Sequence, residues 1–175
     1  GIMEAYDGQA GVAEAMGELP VWNRYSLCQD SSRHFRIRKQ TKEECCMLSC
    51  RQGNRAPGVM AVNGENGGLM LGIRDFWQKC PAGLEVSGLA GEESSCTAWF
   101  FSPEAEAYDF RHYSTESYPR TCYEGFDEIG ASAYGIAVTS QCQVMFVRKI
   151  PLEDELDSYA RRMQKPCVYV GTPEY

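Results

Sequence analysis

Histidine is scarce in this chain: there are 2 in 175 residues, His34 and His112, and neither adjoins a cysteine. The 9 cysteines include no Cys-x-x-Cys pair. Structural zinc needs two close pairs of thiolate or imidazole ligands, so no metal site is expected, and nothing implies a cofactor. No Gly-x-Ser-x-Gly elbow, phosphate loop or metalloprotease His pair is present. Positive charge is also short. Lys and Arg number 17 against 24 Asp and Glu, a net charge of −7. General nucleic-acid binding needs a basic face and is excluded as a partner class. An acidic glycan is not excluded, because a local basic patch on an acidic protein can still hold an anion. The longest apolar runs, 68–73 and 144–147, fall far short of the roughly 20 residues of a membrane span. The first residues have no basic stretch and no apolar stretch of a secretory signal. Repeats, low-complexity tracts and linkers are missing too.

What is present suits a folded domain. Hydrophobic residues make up 43% and aromatics 11%, which excludes a disordered chain. A chain of this length buries roughly 70% of its unfolded surface without staples. The odd cysteine number leaves at least one thiol free or paired between chains. Several cysteines lie in apolar, strand-like runs such as 96–99 and 141–144, where Cys behaves as a small hydrophobe. That usage fits a reducing, cytoplasmic location, with a secreted or periplasmic parent as the alternative. The sequence reads as a segment excised from a longer protein.

The pattern predicts an all-β, mainly antiparallel sandwich with one C-terminal helix. Residues 1–24, Gly-, Ala- and Glu-rich, read as a lead-in loop or short helix. The sandwich is expected over 25–150, and the helix and a connection toward a further C-terminal domain over 151–175. Phe35 and Ile37 alternate with Arg36 and Arg38, a period of two with a polar outer face. Val59 to Val62 and Leu69 to Ile73 flank Asn63-Gly64, a strong hairpin signal. Further strands are expected at 84–86, 96–101, 107–113, 118–123 and within 134–148, at the spacing of a sandwich or barrel. The helix begins after Pro151 and places Leu152, Leu156, Tyr159, Ala160 and Met163 on one face. Acids fill its first turn, Arg161, Arg162 and Lys165 its last, and Pro166 ends it.

Two stretches could carry chemistry: Arg74-Asp75-Phe76-Trp77-Gln78 and the run from Trp99 to Tyr113. Sugars stack on aromatic rings and hydrogen-bond to planar groups such as Arg, Asp and Gln. An acidic sugar also needs Arg, whose fork matches a carboxylate. Arg74, Trp77, Gln78, Trp99 and Arg111 are therefore the candidate substrate-binding residues. Core packing of Trp77 and Trp99, with structural Arg–Asp pairs, is the competing explanation. Arg111, His112 and Tyr113 supply the parts of a β-elimination, in which Arg neutralises the carboxylate while His or Tyr moves protons. A strand would put Asp109, Arg111 and Tyr113 on one face and His112 on the other. Paired glycosidase carboxylates are a weaker option among Glu104, Glu106, Asp109, Glu124 and Asp127. The five cations of 33–42 (Arg33, Arg36, Arg38, Lys39, Lys42) read as a solvated edge strand, with an anion groove as the alternative.

Several of these runs resemble a known family. His34-Phe35-Arg36-Ile37-Arg38-Lys39, Arg55-Ala56-Pro57-Gly58, the run from Gly72 to Pro81 and Leu84-Glu85-Val86 are similar to motifs of the exo-rhamnogalacturonan lyase family, YetA-like bacterial members included. The likeness continues through the run from Thr97 to Glu106, then Asp109 to Tyr113, Tyr123-Glu124-Gly125 and Gly135 to Ser140, in order along 25–145. The resemblance implies a three-part parent: a barrel-like β domain, a central β-sandwich and an α/α toroid. This chain corresponds to the sandwich. The implied activity is β-elimination in the galacturonate–rhamnose backbone of pectin, with an acidic oligosaccharide or polysaccharide and neighbouring domains as partners. The isolated chain is expected to be inactive. A noncatalytic scaffold or carbohydrate-binding module, or an accessory sandwich for a neutral sugar, are the alternatives.

Overall fold

A computed structural model describes residues 2–5, 12–15, 22–64, 67–105, 137–149, 152–168 and 170–171. All of the described strands and the described helix belong to one compact unit, made of 1–105 and 140–175; residues 106–139 group as a second unit. In chain order the strands are β1 (Ile2–Ala5), β2 (Val12–Ala15), β3 (Arg24–Ser31), β4 (His34–Gln40), β5 (Leu48–Gly53), β6 (Val59–Gly64), β7 (Gly67–Ile73), β8 (Ala82–Ser87), β9 (Ser95–Trp99) and β10 (Cys142–Val147). Helix α1 (Glu153–Gln164) follows. The strands form two antiparallel five-stranded sheets, ordered β10-β7-β6-β1-β2 and β5-β4-β3-β8-β9. This is the sandwich with one helix that the pattern predicts.

The period of two decides which side chains meet between the sheets. Tyr25 and Leu27 of β3, Phe35 and Ile37 of β4, and Ala82, Leu84 and Val86 of β8 face Met60, Leu71 and Ile73 of the other sheet. Their neighbours Arg24, Ser26, Arg36, Arg38 and Glu85 fall on the opposite, outer face of the second sheet. Strands β6 and β7 do not alternate: Val59, Met60 and Ala61 are all buried, as are Met70, Leu71 and Ile73. Their second face carries α1. Val59, Ala61 and Met70 pack under Leu156, Tyr159, Ala160 and Met163, four of the five residues expected on the helix's apolar face. The fifth, Leu152, is the N-cap and is 74% exposed. Its N–H donates to the Glu155 carboxylate at 2.9 Å. Gly72 sits directly below the helix, where any Cβ would strike the Met163 thioether.

Three expectations are corrected. Residues 2–5 and 12–15 are strands rather than a loop or helix, and β1 pairs with β6. The Arg-rich strand β4 is not an edge: β3 and β5 flank it. Its charges therefore need another explanation, given below. The described cysteines are not mainly core residues: Cys45, Cys46, Cys142 and Cys167 are exposed and, among the described residues, only Cys28 is buried, all of them free thiols. The expected strands at 107–113 and 118–123 lie outside the described residues.

Burial pushes the thiols of Cys28, Cys80 and Cys96 above their ordinary 9.0, and a hydrogen bond from the Ser102 hydroxyl to the sulfur offsets part of the effect at Cys28. The unfolded chain releases these protons near 9.0 while the folded chain holds them, so stability falls as pH rises past 9. Burial raises Tyr159 from 10.0 in the same sense. Alkylation with iodoacetamide at pH 8, read by peptide mass mapping, is expected to modify the four exposed cysteines well before Cys28. Equal rates would contradict the burial of β3.

Candidate functional site

The stretch 74–79, which the sequence marks for chemistry, is a tightly held turn at the end of β7. Phe76 is fully buried at 0% exposure. It lies against Gly58, whose φ of 71° and contact with the Phe76 Cβ leave no room for a side chain. Asp75 has a φ of 57°, a strained conformation that persists only where the surroundings enforce it. They do so here. The Asp75 N–H donates to Gln164 Oε1 at 2.8 Å, and Gln164 Nε2 donates to the carbonyls of Pro57 (3.1 Å) and Ile73 (3.3 Å). One carboxamide at the end of α1 thus ties the helix to the turn. The Lys79 N–H closes the turn on the Asp75 carbonyl at 2.9 Å.

Two candidates ride on this turn with different partners. Trp77 is half-buried and carries the Arg55 guanidinium over its ring, 3.8 Å from the centroid. Arg55 Nε also donates to the Ser32 carbonyl at 3.2 Å, so the stack ties the turn to the β3–β4 hairpin. Arg74 leans the other way. Its N–H meets the Gln141 carbonyl at 3.0 Å, and its Nη1 meets Gln141 Oε1 at 2.9 Å. Gln78 is exposed.

Arg74 lines a cleft of about 660 Å³ together with Phe100, Gln141, Cys142, Gln143 and Arg162. Among the described residues no Asp or Glu lines it. Among the described residues, Arg162 makes no ion pair and the buried Nε of Arg74 has no hydrogen-bond partner. Two guanidinium groups without a carboxylate make this a positive recess on a chain of net charge −7. Phe100, 47% exposed, offers an aromatic face at its wall, and the glutamines offer planar hydrogen-bonding groups. Arg162 escaped the sequence reading because it passes for a dipole-matched residue of the last helical turn. Only the docking of Met163 onto Gly72 brings its neighbour to the cleft. Gln141 and Gln143 carry no local signal at all.

The outer face of the second sheet explains the cations of β4. The segment 100–105 after β9 crosses it, and Glu104 settles among Arg24, Arg36 and Arg38. Its carboxylate accepts from Ser26 Oγ at 2.7 Å, and Arg38 Nη2 lies 2.7 Å from the other oxygen. Arg36 Nη2 donates to the Glu104 carbonyl at 2.5 Å. Trp99 is half-buried on the same face, its Nε1 donating to Glu85 Oε2 at 3.3 Å. Arg24 meets that same oxygen at 2.8 Å. Asp30 holds His34 Nδ1 at 2.7 Å and stands 3.8 Å from Arg36. Among the five possible glycosidase carboxylates, Glu104 is the one described, and it is engaged by arginines.

The structure therefore assigns Trp77 and Trp99 different partners: Trp77 lies under Arg55, and Trp99 bonds Glu85. Arg111, His112 and Tyr113 lie outside the described residues. Replacing Gln164 by Ala removes the acceptor of the strained Asp75 N–H and is expected to cost about 1–3 kcal/mol. Gly58→Ala, forced into positive φ and into Phe76, should cost at least about 1 kcal/mol. Urea unfolding of both variants checks this; wild-type midpoints would mean that the turn is not held from these two sides.

A family model described as "PcRGLX-like protein central beta sandwich domain" matches residues 2–161. The "Uncharacterized protein YetA" of Bacillus subtilis (strain 168) is 36% identical over 154 residues, which cover 88% of this chain and 18% of that protein. The chain thus spans a small part of the length of the curated relative it matches. A two-sheet antiparallel sandwich with motifs from β4 to β9 agrees with that match, and the chain belongs to the PcRGLX-like central beta sandwich domain family.

Proposed function

We propose that this domain is the central sandwich of a rhamnogalacturonan-lyase-like protein and forms one wall of a cleft for an acidic pectic glycan. The observation that carries this reading is the cleft with Arg74 and Arg162 and no lining carboxylate among the described residues. The exposed Arg162 guanidinium can take a uronate carboxylate bidentately, and Arg74, whose Nη1 is held by Gln141, adds positive charge beside it. Phe100 stacks on a sugar ring, and Gln141 and Gln143 bond its hydroxyls. The family name supports the substrate class. In the elimination, a base removes the C5 proton of the uronate, the electron pair forms the C4–C5 double bond, and the C4–O bond breaks. The leaving oxygen takes a proton from an acid. Pairing the carboxylate with arginine favours the charge that develops beside C5. Arg111, His112 and Tyr113 are the proposed participants of that step, together with neighbouring domains. The free thiols support a reducing location for the parent.

A second reading, a noncatalytic scaffold or carbohydrate-binding module, is favoured by the way the family motifs pair among themselves. Arg55 covers Trp77, Gly58 covers Phe76, and Arg36 and Arg38 hold Glu104. Much of the motif content thus maintains the fold.

Calorimetric titration of the chain with rhamnogalacturonan oligosaccharides separates the cases. Saturable binding that weakens from 50 to 500 mM salt, roughly the range in which exposed charges become screened, is expected. Arg74→Ala and Arg162→Ala should each lower affinity about tenfold, as loss of one charge-assisted hydrogen-bonded pair does. Salt-insensitive binding would point to a neutral-sugar module. In the full-length parent, Arg111→Ala should abolish formation of unsaturated product, and retained turnover would remove Arg111 from the mechanism.

A further inference from the structure

The outer face of the second sheet has a feature that fold maintenance does not account for. Three arginines from the adjacent strands β3 and β4 converge on Glu104, two on its carboxylate and one on its backbone carbonyl, yet part of their hydrogen-bonding capacity is unused. The Nε atoms of Arg24, Arg36 and Arg38 are all buried and have no hydrogen-bond partner among the described residues. Arg38 Nη2 reaches Glu104 Oε2 at 2.7 Å, but off the line of a hydrogen bond, so that oxygen has no hydrogen-bond partner. Arg24 remains 3.8 Å from the other oxygen. Arg36 uses Nη2 on the Glu104 backbone carbonyl rather than on the carboxylate. A group selected only to neutralise these arginines would satisfy them better, because each buried donor left unpaired costs about 1–3 kcal/mol.

We propose that Arg24, Arg36, Arg38 and Ser26 form a cradle for the carboxylate of a sugar acid, and that Glu104 is its internal occupant. The segment 100–105 then acts as a latch over the site. Among the described residues its anchor outside the cradle is Ser102, which is buried, donates its N–H to the Pro81 carbonyl at 3.1 Å, hydrogen-bonds Cys28 and packs against Gly83, so that Glu104 on its far side is the part free to swing. The neighbourhood favours a sugar over a bare anion. Trp99 stands beside the cradle as a half-buried ring, joined to it through the Glu85 oxygen that it shares with Arg24. Stacking on Trp99 with the carboxylate on Arg38 and Ser26 is a two-point recognition of a uronate ring. This site uses neither Arg74 nor Arg162 and does not rest on the proposed cleft; the two share only the segment 100–105, whose Phe100 lines the cleft.

An intramolecular carboxylate competes at millimolar effective concentration, so the external ligand binds the wild type weakly and binds tightly once Glu104 is neutralised. The probe is sodium D-galacturonate, followed by Trp fluorescence and calorimetry in an Arg74→Ala/Arg162→Ala background that removes the cleft's contribution. Glu104→Gln should tighten binding by at least about tenfold. Adding Arg38→Ala should abolish the gain, and methyl galacturonate, which lacks the charge, should not bind. Equal affinity of Glu104→Gln and wild type, or equal binding of the methyl ester, overturns the proposal. Should Glu104→Gln fold poorly, the melting temperature of Glu104→Ala is the second readout. Galacturonate is expected to restore it, and no restoration refutes the cradle. Restoration by acetate to the same extent refutes the sugar assignment. Loss of oligosaccharide binding in the cleft variants, with the cradle results unchanged, leaves the two sites distinguishable.

Discussion

Strands β6 and β7 are covered on both faces, and this constraint organises the rest of the unit. One face meets the second sheet through Met60, Leu71 and Ile73; the other meets α1 through Val59, Ala61 and Met70. A strand buried on both sides has no polar face to offer a ligand. Recognition is therefore displaced to the ends of these strands and to the outer face of the other sheet. The Arg74 turn leaves the end of β7, and the cleft opens where α1 finishes above it. The order of events runs from a doubly buried hairpin, through the docking of one helix, to the placement of Arg162 and Gln164 around the turn.

The polar face works under the opposite constraint. Charged groups there are half-buried, between roughly one-tenth and one-third exposed, and each is paired or nearly paired with a group of opposite sign. Such networks contribute little net stability when exposed. They fix geometry more than they add energy, because a half-buried guanidinium left without a partner is costly. The segment 100–105 is the element on which this face depends, since Glu104 touches arginines from two strands at once.

Much of the fold was legible in the sequence, and the reasons are local. The alternation at Phe35 and Ile37, the Asn63-Gly64 turn and the stripe of Leu156, Tyr159, Ala160 and Met163 are short-range patterns whose period names the element. What remained hidden was long-range. β1 and β2 are poor in β-branched and aromatic residues, so β6 as a partner decides their state rather than propensity. The period of β4 tells which face Arg36 occupies but not which strand lies beside it, and hence the strand passed for an edge. Glu104 meets Arg36 from 68 residues away, and Arg162 reaches the cleft only through tertiary docking. Arg74 and Trp77 stand out in the sequence by their types, but their different partners are visible only in three dimensions. Arg111, His112 and Tyr113 lie outside the described residues, so the outcome for the proposed elimination rests on chemistry alone.

The segment 100–105 has one more consequence. Its first residue lines the cleft beside Arg74, and its fifth is held by the arginines of the outer face. Five residues thus yoke two surfaces that would otherwise vary independently over evolutionary time. A substitution that loosens Glu104 should be felt at Phe100 through the short chain between them, and the reverse. Paralogues that adapt one surface to a new ligand should therefore accumulate compensating changes at the other, and swapping single residues between such relatives should succeed only when both ends of the segment travel together.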